Sequence, residues 1–162
     1  MKDNLDMLNW FSRSPQSDSV VITGASTGIG AACALALDKL GYRVFAGVRL
    51  PADGERLQQQ AGPRLMPIRL DVTDTASISA ASHTVAAMVG ERGLAGLVNN
   101  AGIGVAGPIE LLPLADWRRQ FEVNVFGLIA VTQTFLPLIR QGRGRIINMG
   151  SIAGRVSMPF MA

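Results

Sequence analysis

Residues that carry polar chemistry on their own are scarce in this chain. It has one cysteine, one tyrosine and one histidine, and its only lysines are Lys2 and Lys39. The single cysteine, Cys33, excludes an intrachain disulfide and suits a reducing cytoplasm. Its place in an apolar helical stretch reads as a small core residue, not a nucleophile. His83 reads as a solvent-facing helix residue, and no metal site is expected. No apolar run reads as long enough to span a bilayer. Residues 1–17 lack the continuous apolar stretch of a secretory signal. They read as a flexible extension; the alternative is one amphipathic turn formed by Leu5, Leu8, Trp10 and Phe11. An acidic excess is lacking too, since the net charge is +3. The one dense basic cluster is Arg140, Arg143 and Arg145. It falls where a long helix should end, where the helix dipole favours cations. No aromatic residues are interleaved with it, so a nucleic-acid partner is not expected.

What the chain does have is apolar and periodic. At 162 residues and 48% hydrophobic it can bury the core of one domain. From residue 19 onward, short β-branched runs alternate with helical spacing. Strands are expected over residues 19–23, 43–48, 65–70, 94–98 and 145–149. Helices are expected over residues 29–40, ended by Gly41, and over 55–60, after a break at Pro51, Asp53 and Gly54. Two more should run from a cap at Asp74 or Thr75 to about residue 92, and from Asp116 to Arg140. Strand–helix alternation of this kind implies an α/β fold with a parallel sheet covered on both faces. Right-handed crossovers favour the doubly wound (Rossmann) order 3-2-1-4-5 over five strands. A sixth strand and the C-terminal part of such a sheet have no sequence here, so strand five is expected as an exposed edge.

The sharpest local signal is Thr23-Gly24-Ala25-Ser26-Thr27-Gly28-Ile29-Gly30, between a strand and a helix. Glycines there let the backbone turn tightly and approach a pyrophosphate, while the helix N-terminus supplies N–H donors. A glycine-rich turn without a ligand is the plainer alternative. Three further segments stand out downstream: Leu70-Asp71-Val72-Thr73-Asp74, Asn99-Asn100-Ala101-Gly102, and Asn124 within Asn-Val-Phe-Gly. Ser151, within Asn-Met-Gly-Ser, is the last. Each alone has a plain structural reading: Asp71 as a strand-end cap, Asn99 and Asn100 as turn formers, Asn124 as a helix residue satisfied internally, Ser151 as a loop hydroxyl.

Together, and in this order, these five segments over residues 19–162 resemble the short-chain dehydrogenase/reductase family. The resemblance implies oxidoreduction of an alcohol/carbonyl pair with a nicotinamide dinucleotide. It implies cofactor contacts at Gly24, Ser26, Thr27, Gly28, Ile29, Gly30, Arg49, Asp71, Val72, Asn99, Ala101 and Gly102. Asp71 would approach the adenine, and Asn99–Gly102 would stabilise the sheet and line the cleft. Asn124 and Ser151 would serve catalysis, the first holding a water in the proton relay and the second steadying the substrate oxygen. The segments Phe45-Ala-Gly-Val-Arg49 and Phe121-Glu-Val-Asn-Val-Phe-Gly127 look like the branch acting on retinoids, steroids and other apolar carbonyls. The family also uses the helix equivalent to residues 116–140 in its dimer interface. Phe121, Val125, Leu128 and Phe135 lie on one side of it, Val123, Phe126 and Ala130 lie elsewhere around it, and Gly127 permits close approach; a helix apolar on several faces needs more cover than one sheet face gives, so a homo-oligomer is expected.

Cofactor choice rests on the end of strand two. An acid about 20 residues past the glycines would bind the ribose of NAD. This chain has Val48-Arg49 there, and an arginine can pair with a 2′-phosphate. NADP(H) is therefore the expected cofactor, with NAD(H) the alternative. Asp53, beyond the Pro51 turn, is the weaker candidate for a ribose-binding acid; Arg49 as a solvated surface residue is the plainer alternative. In the family, a Tyr-x-x-x-Lys pair supplies the tuned acid/base. It normally lies further along than the eleven residues that follow Ser151 here. Tyr42 carries no such pattern. The expectation is a truncated oxidoreductase, inactive alone, or else a noncatalytic nucleotide-binding or interaction module.

Overall fold

A computed structural model of the protein describes residues 18–156. The expected N-terminal extension lies outside the described residues, as do residues 157–162. Strands β1 (Ser19–Ile22), β2 (Arg43–Val48), β3 (Leu65–Arg69), β4 (Gly96–Asn99) and β5 (Arg145–Asn148) form one sheet in the order β3-β2-β1-β4-β5. Every pairing in it is parallel. Between the strands run α1 (Gly28–Lys39), α2 (Pro51–Gln58), α3 (Thr75–Val89), α4 (Leu114–Phe121) and α5 (Leu128–Gln141). This is the doubly wound α/β fold that the alternation implies.

Strand side chains alternate between the two faces, and the core divides accordingly. Val21, Phe45, Ile68 and Leu97 pack with Ile78, Val85, Val131, Phe135 and Ile139 of α3 and α5. Val20, Ile22, Val44, Ala46 and Val98 pack with Ala34 of α1 and Leu57 of α2. Cys33 is partly buried against this second cluster, as a core residue would be. The register Val21↔Phe45 and Val21↔Leu97 keeps the members of each face together across neighbouring strands.

Helix ends follow local chemistry. Gly41, at φ +93°, stops α1 in a conformation that other residues rarely adopt. Asp74 caps α3, its carboxylate accepting from the N–H of Ala76 at 2.9 Å. The helix itself ends at Val89, and residues 90–92 form a separate 3₁₀ turn. Helix α2 begins at Pro51, earlier than expected. Pro51 starts the helix, because its fixed φ and missing N–H suit the first helical position. Gly54 is a clearance residue, since a Cβ there would lie 2.7 Å from Pro67.

The helical stretch expected from Asp116 to Arg140 is present as Leu114–Gln141, but interrupted by one π turn at Glu122–Gly127. The extra residue in a π turn shifts the phase of the helix face. Phe135 therefore lies in the core, while Phe121 and Val125 are exposed, so these residues, expected on one side of the helix, divide between two. Gly127 does permit close approach, but to Val72: a Cβ there would lie 2.8 Å from the Val72 carbonyl oxygen. By length and composition this 28-residue helix is long and apolar enough to cross a membrane, which corrects the expectation of no such run. Its Val131, Phe135 and Ile139 are nevertheless buried on the sheet. Among the described residues, β5 is an edge strand with all four residues exposed.

Candidate functional site

All strands run parallel, so the loops after β1, β2, β3 and β4 emerge at one end of the sheet. The order of strands reverses about β1, and the crevice that such a reversal opens is where α/β sheets hold ligands. A cavity of about 580 Å³ lies there. Its floor is Gly24, Ser26, Thr27, Ile29 and Gly30, from the glycine turn and the first turn of α1. One wall is Gly47, Val48 and Arg49 at the end of β2, with Leu70, Asp71, Val72 and Thr73 after β3. The other is Asn100, Ala101, Gly102 and Ile103 after β4, with Arg119, Glu122 and Val123 from the long helix.

The glycine turn is clamped by the neighbouring loop. The Asn100 side-chain amide donates to the carbonyl oxygens of Thr23 and Gly24, each at 3.0 Å. In return, the Thr23 hydroxyl accepts the backbone N–H groups of Asn100 at 3.0 Å and Ala101 at 2.9 Å. The two segments approach so closely that a Cβ on Gly24 would lie 2.8 Å from the Ala101 Cα. One on Gly30 would lie 2.3 Å from the Gly24 carbonyl oxygen. Gly24 also sits at φ +64°. Thr27, at the start of α1, makes no side-chain cap, so the first-turn N–H groups keep their capacity for an anion.

Asp71 is fixed by its own loop. Its Oδ1 accepts from the Thr73 N–H at 2.9 Å and from the Thr73 hydroxyl at 2.7 Å. The Thr73 N–H holds the carboxyl below the usual carboxylate range; burial opposes this, and the Thr73 hydroxyl and the charges of Arg49 and Arg69 add to it. On the far wall, Asn124 lies within the π turn and bonds the β4 loop twice. Its Oδ1 accepts from the Ile103 N–H at 2.9 Å, and its Nδ2 donates to the Ile103 carbonyl at 2.8 Å. Gln120 adds a third tie, accepting from the Val105 N–H at 2.6 Å.

The chain matches the family model described as short chain dehydrogenase over residues 18–162. The chain belongs to the short-chain dehydrogenase family. Retinol dehydrogenase 5 of Mus musculus is 44% identical over 145 residues, covering 88% of this chain and 46% of that protein. The 17-beta-hydroxysteroid dehydrogenase type 6 of Bos taurus is 43% identical over 157 residues, covering 93% of this chain and 50% of that protein. The chain thus spans about half the length of the curated relatives it matches. Among solved structures, a serine dehydrogenase from Escherichia coli superposes with a TM-score of 0.79 at 30% identity, over 86% of this chain and 65% of that one. Family membership brings with it the use of a nicotinamide dinucleotide. The cavity fits one, having a glycine floor, an uncapped helix start and a polar wall on each side.

Within this short-chain dehydrogenase frame, ten of the residues expected at the cofactor line the cavity: Gly24, Ser26, Thr27, Ile29, Gly30, Arg49, Asp71, Val72, Ala101 and Gly102. Two do not. Gly28 is exposed at φ +57°, and a Cβ there would meet nothing within 4 Å; its part is conformational. Asn99 is 4% exposed and turned under the sheet, donating from Nδ2 to Thr132 and Asn148, each at 2.9 Å. Its Oδ1 has no partner among the described residues. Strand alternation explains the difference, because Asn99 shares the face of Leu97, toward α5, and Asn100 is the residue that reaches the glycine turn. Arg119, Glu122 and Val123 also line the cavity; they stand five, two and one residues before Asn124, and that nearness was their only signal in the sequence. Asn124 stands behind the wall, next to Gly102. Ser151 is exposed, outside the wall, with its hydroxyl accepting from the Ala153 N–H at 3.2 Å. Asp53 pairs with Arg56 and does not line the cavity. Tyr42 is half-buried against the second core cluster, at the opposite end of β2.

Proposed function

We propose that this chain holds NADP(H) and forms the nucleotide-binding part of an oxidoreductase that interconverts an alcohol and a carbonyl on a small apolar substrate. The observation that carries the cofactor choice is the end of β2. Arg49 lines the cavity there, and the nearby acid Asp53 is engaged by Arg56. No carboxylate from β2 therefore opposes a 2′-phosphate, and the guanidinium can pair with one. The names of the relatives, a retinol dehydrogenase and a hydroxysteroid dehydrogenase, support an apolar substrate.

When bound, the nicotinamide supplies a hydride donor or acceptor. The residues of this chain would hold and orient it. The glycine floor and first turn of α1 would take the pyrophosphate, Asp71 and Val72 the adenosine. Asn124 fixes the Ile103 segment through both of its amide atoms. Ser151 would steady the substrate oxygen.

A proton donor matched to neutral pH is not among these residues. The 162 residues contain no Tyr-x-x-x-Lys, Tyr42 is remote from the cavity, and a serine hydroxyl is too weak an acid unaided. The 162-residue chain by itself is therefore expected to bind nucleotide without oxidising NADPH in the presence of apolar ketones or aldehydes. That same lack favours a second reading, a noncatalytic nucleotide-binding module. The two separate on the codons following those for Ala162, where a Tyr-x-x-x-Lys that restores turnover supports the enzyme. We also propose a cytoplasmic location on the single thiol, testable by cell fractionation.

The cofactor reading is tested by fluorescence titration of the purified chain. NADPH should bind more tightly than NADH, and Arg49→Ala should narrow the gap. Equal affinities for the two in the unaltered chain would refute the preference.

A further inference from the structure

Asp38 is a buried charge that the nucleotide cavity does not use. It is 8% exposed, and a carboxylate is rarely buried without a cation beside it. Among the described residues Asp38 makes no salt bridge, and its side chain has one hydrogen bond, from the Gly62 N–H to Oδ2 at 2.6 Å. Its position adds a second cost. Asp38 lies in the last turn of α1, at the negative end of the helix dipole, where a carboxylate is disfavoured. The backbone closes that end without the side chain: the N–H groups of Leu40, Gly41 and Tyr42 donate to the carbonyls of Ala36, Asp38 and Leu37. An asparagine would meet the Gly62 N–H equally well. The tie to Gly62 accounts for a polar side chain at this position and not for a charged one.

The carboxylate opens on a second cavity, of about 470 Å³, whose lining includes Lys39, Gly41, Gln60, Gly62 and Arg64. That volume is in the range of small-molecule sites. The lining residues precede β2 and β3, so the cavity lies at the end of the parallel sheet opposite the nucleotide. Asp38 Oδ1 makes no hydrogen bond and is not sealed from solvent. The frame around it is tied down. Arg64 donates from Nη1 to the Gly41 carbonyl at 3.1 Å, and its own carbonyl accepts the Val44 N–H at 3.0 Å. Lys39 is exposed, with no hydrogen bond or ion pair among the described residues. Charge then decides what the cavity can hold. A simple cation would suit Asp38 and meet repulsion from Lys39 and Arg64. A simple anion would meet repulsion from Asp38. A ligand carrying both charges matches all three side chains.

We infer that this cavity is a second ligand site, for a small zwitterion of the amino-acid class, with its ammonium group on Asp38 and its carboxylate toward Lys39 and Arg64. The ammonium supplies the buried carboxylate with the cation it lacks and offsets the negative end of α1. Helix α1 has 12 residues, about 18 Å of length, so this site is separate from the nucleotide cavity at the other end of the helix.

Nuclear magnetic resonance of the isotope-labelled whole chain tests this through the Gly62 amide, whose N–H is bonded to Asp38. Glycine is the probe. Betaine, with the same two charges and no N–H donor, is its contrast. Glycine should shift the Gly62 resonance to saturation, and betaine should do so far more weakly. Asp38→Asn keeps an acceptor for Gly62 and removes the charge. It should weaken glycine by about tenfold, the scale of one charge-assisted hydrogen bond. Lys39→Ala should weaken it by about threefold, the scale of an exposed ion pair. Lys39 is exposed, so this variant and the betaine contrast decide the matter if Asp38→Asn does not fold. Glu55→Gln, an exposed carboxylate on α2, should change nothing. If glycine leaves the Gly62 resonance unmoved up to its solubility, or binds Asp38→Asn as it binds the unaltered chain, Asp38 is a structural tie only and the site is overturned. Equal binding of glycine and betaine would overturn the hydrogen-bonded ammonium.

Discussion

Asn100 does with one side chain what a turn of backbone cannot do alone. The carbonyls of Thr23 and Gly24 point into the junction between two loops, and the Asn100 amide supplies a donor to each. Asn100→Ala would leave two partly buried acceptors unpaired, at a cost of about 1–3 kcal/mol. Urea denaturation should show that loss, and an unchanged midpoint would mean that water replaces the amide. Asp71 adds a pH dependence. Its carboxyl sits below its ordinary value chiefly because the Thr73 N–H donates to it. A group with a depressed folded pKa stabilises the fold above its unfolded value, and that contribution disappears as pH falls through the folded value. Asp71→Asn should therefore lower Tm at pH 7, and the gap to the unaltered chain should close on acidifying below about pH 4, the unfolded carboxylate range. A gap that is constant down to low pH would show that the shape of the side chain matters, not its charge. At this scale the glycine turn was legible from its spacing between a strand and a helix, and Asp71 only through the resemblance of its segment to the family. The choice between Asn99 and Asn100 was not, because it depends on which residue is the last of β4, and boundaries move by a residue or two with local hydrogen bonding. Arg119 was invisible, since it reaches the cavity only from the long helix.

Among the elements, the strands and most helix stops could be read from β-branched runs and from glycines such as Gly41. Two features could not. Helix α2 starts at Pro51 because a proline breaks a strand and begins a helix with equal ease, and only the tertiary setting decides between them. The π turn has no periodic signature at all. It lies where Asn124 is bonded on both amide atoms to Ile103 and where Gly127 lets the helix settle on Val72, and π turns recur at functional sites. Gly127→Ala should test this coupling. The added methyl would press on the Val72 backbone, which must shift, so a loss of roughly 1–3 kcal/mol is expected. Val72 also lines the cavity, so nucleotide affinity should fall with stability. Gly150→Ala, where a Cβ meets nothing within 4 Å, should change neither. Lost stability with unchanged nucleotide binding would separate the π turn from the site.

The order of the whole sheet followed from alternation and right-handed crossovers, because few topologies satisfy both. The surface it leaves did not follow, since helical phase was lost at the π turn. Phe121, Val125, Phe126 and Ile129 are exposed together, with Phe121 at 50% and Phe126 at 56%. Single exposed apolar side chains are ordinary, but neighbours along one helix make a patch of the kind that marks contact surfaces. We propose that this patch pairs with itself in a second copy of the chain. In a two-fold interface each side chain occurs twice, so one substitution acts twice. Sedimentation velocity should show a mass that rises with concentration. Phe121→Glu with Phe126→Glu should return the chain toward monomer by placing four carboxylates in the contact. Leu111→Glu, an exposed residue in the loop before α4, should leave the distribution as it was. The exposed β5 edge is the competing surface, with Ile147 at 53%, because an unpaired strand is itself a template for association. Ile147→Lys separates the two: if it alone abolishes association, the edge strand is the contact, and a sharp monomer at every concentration removes both.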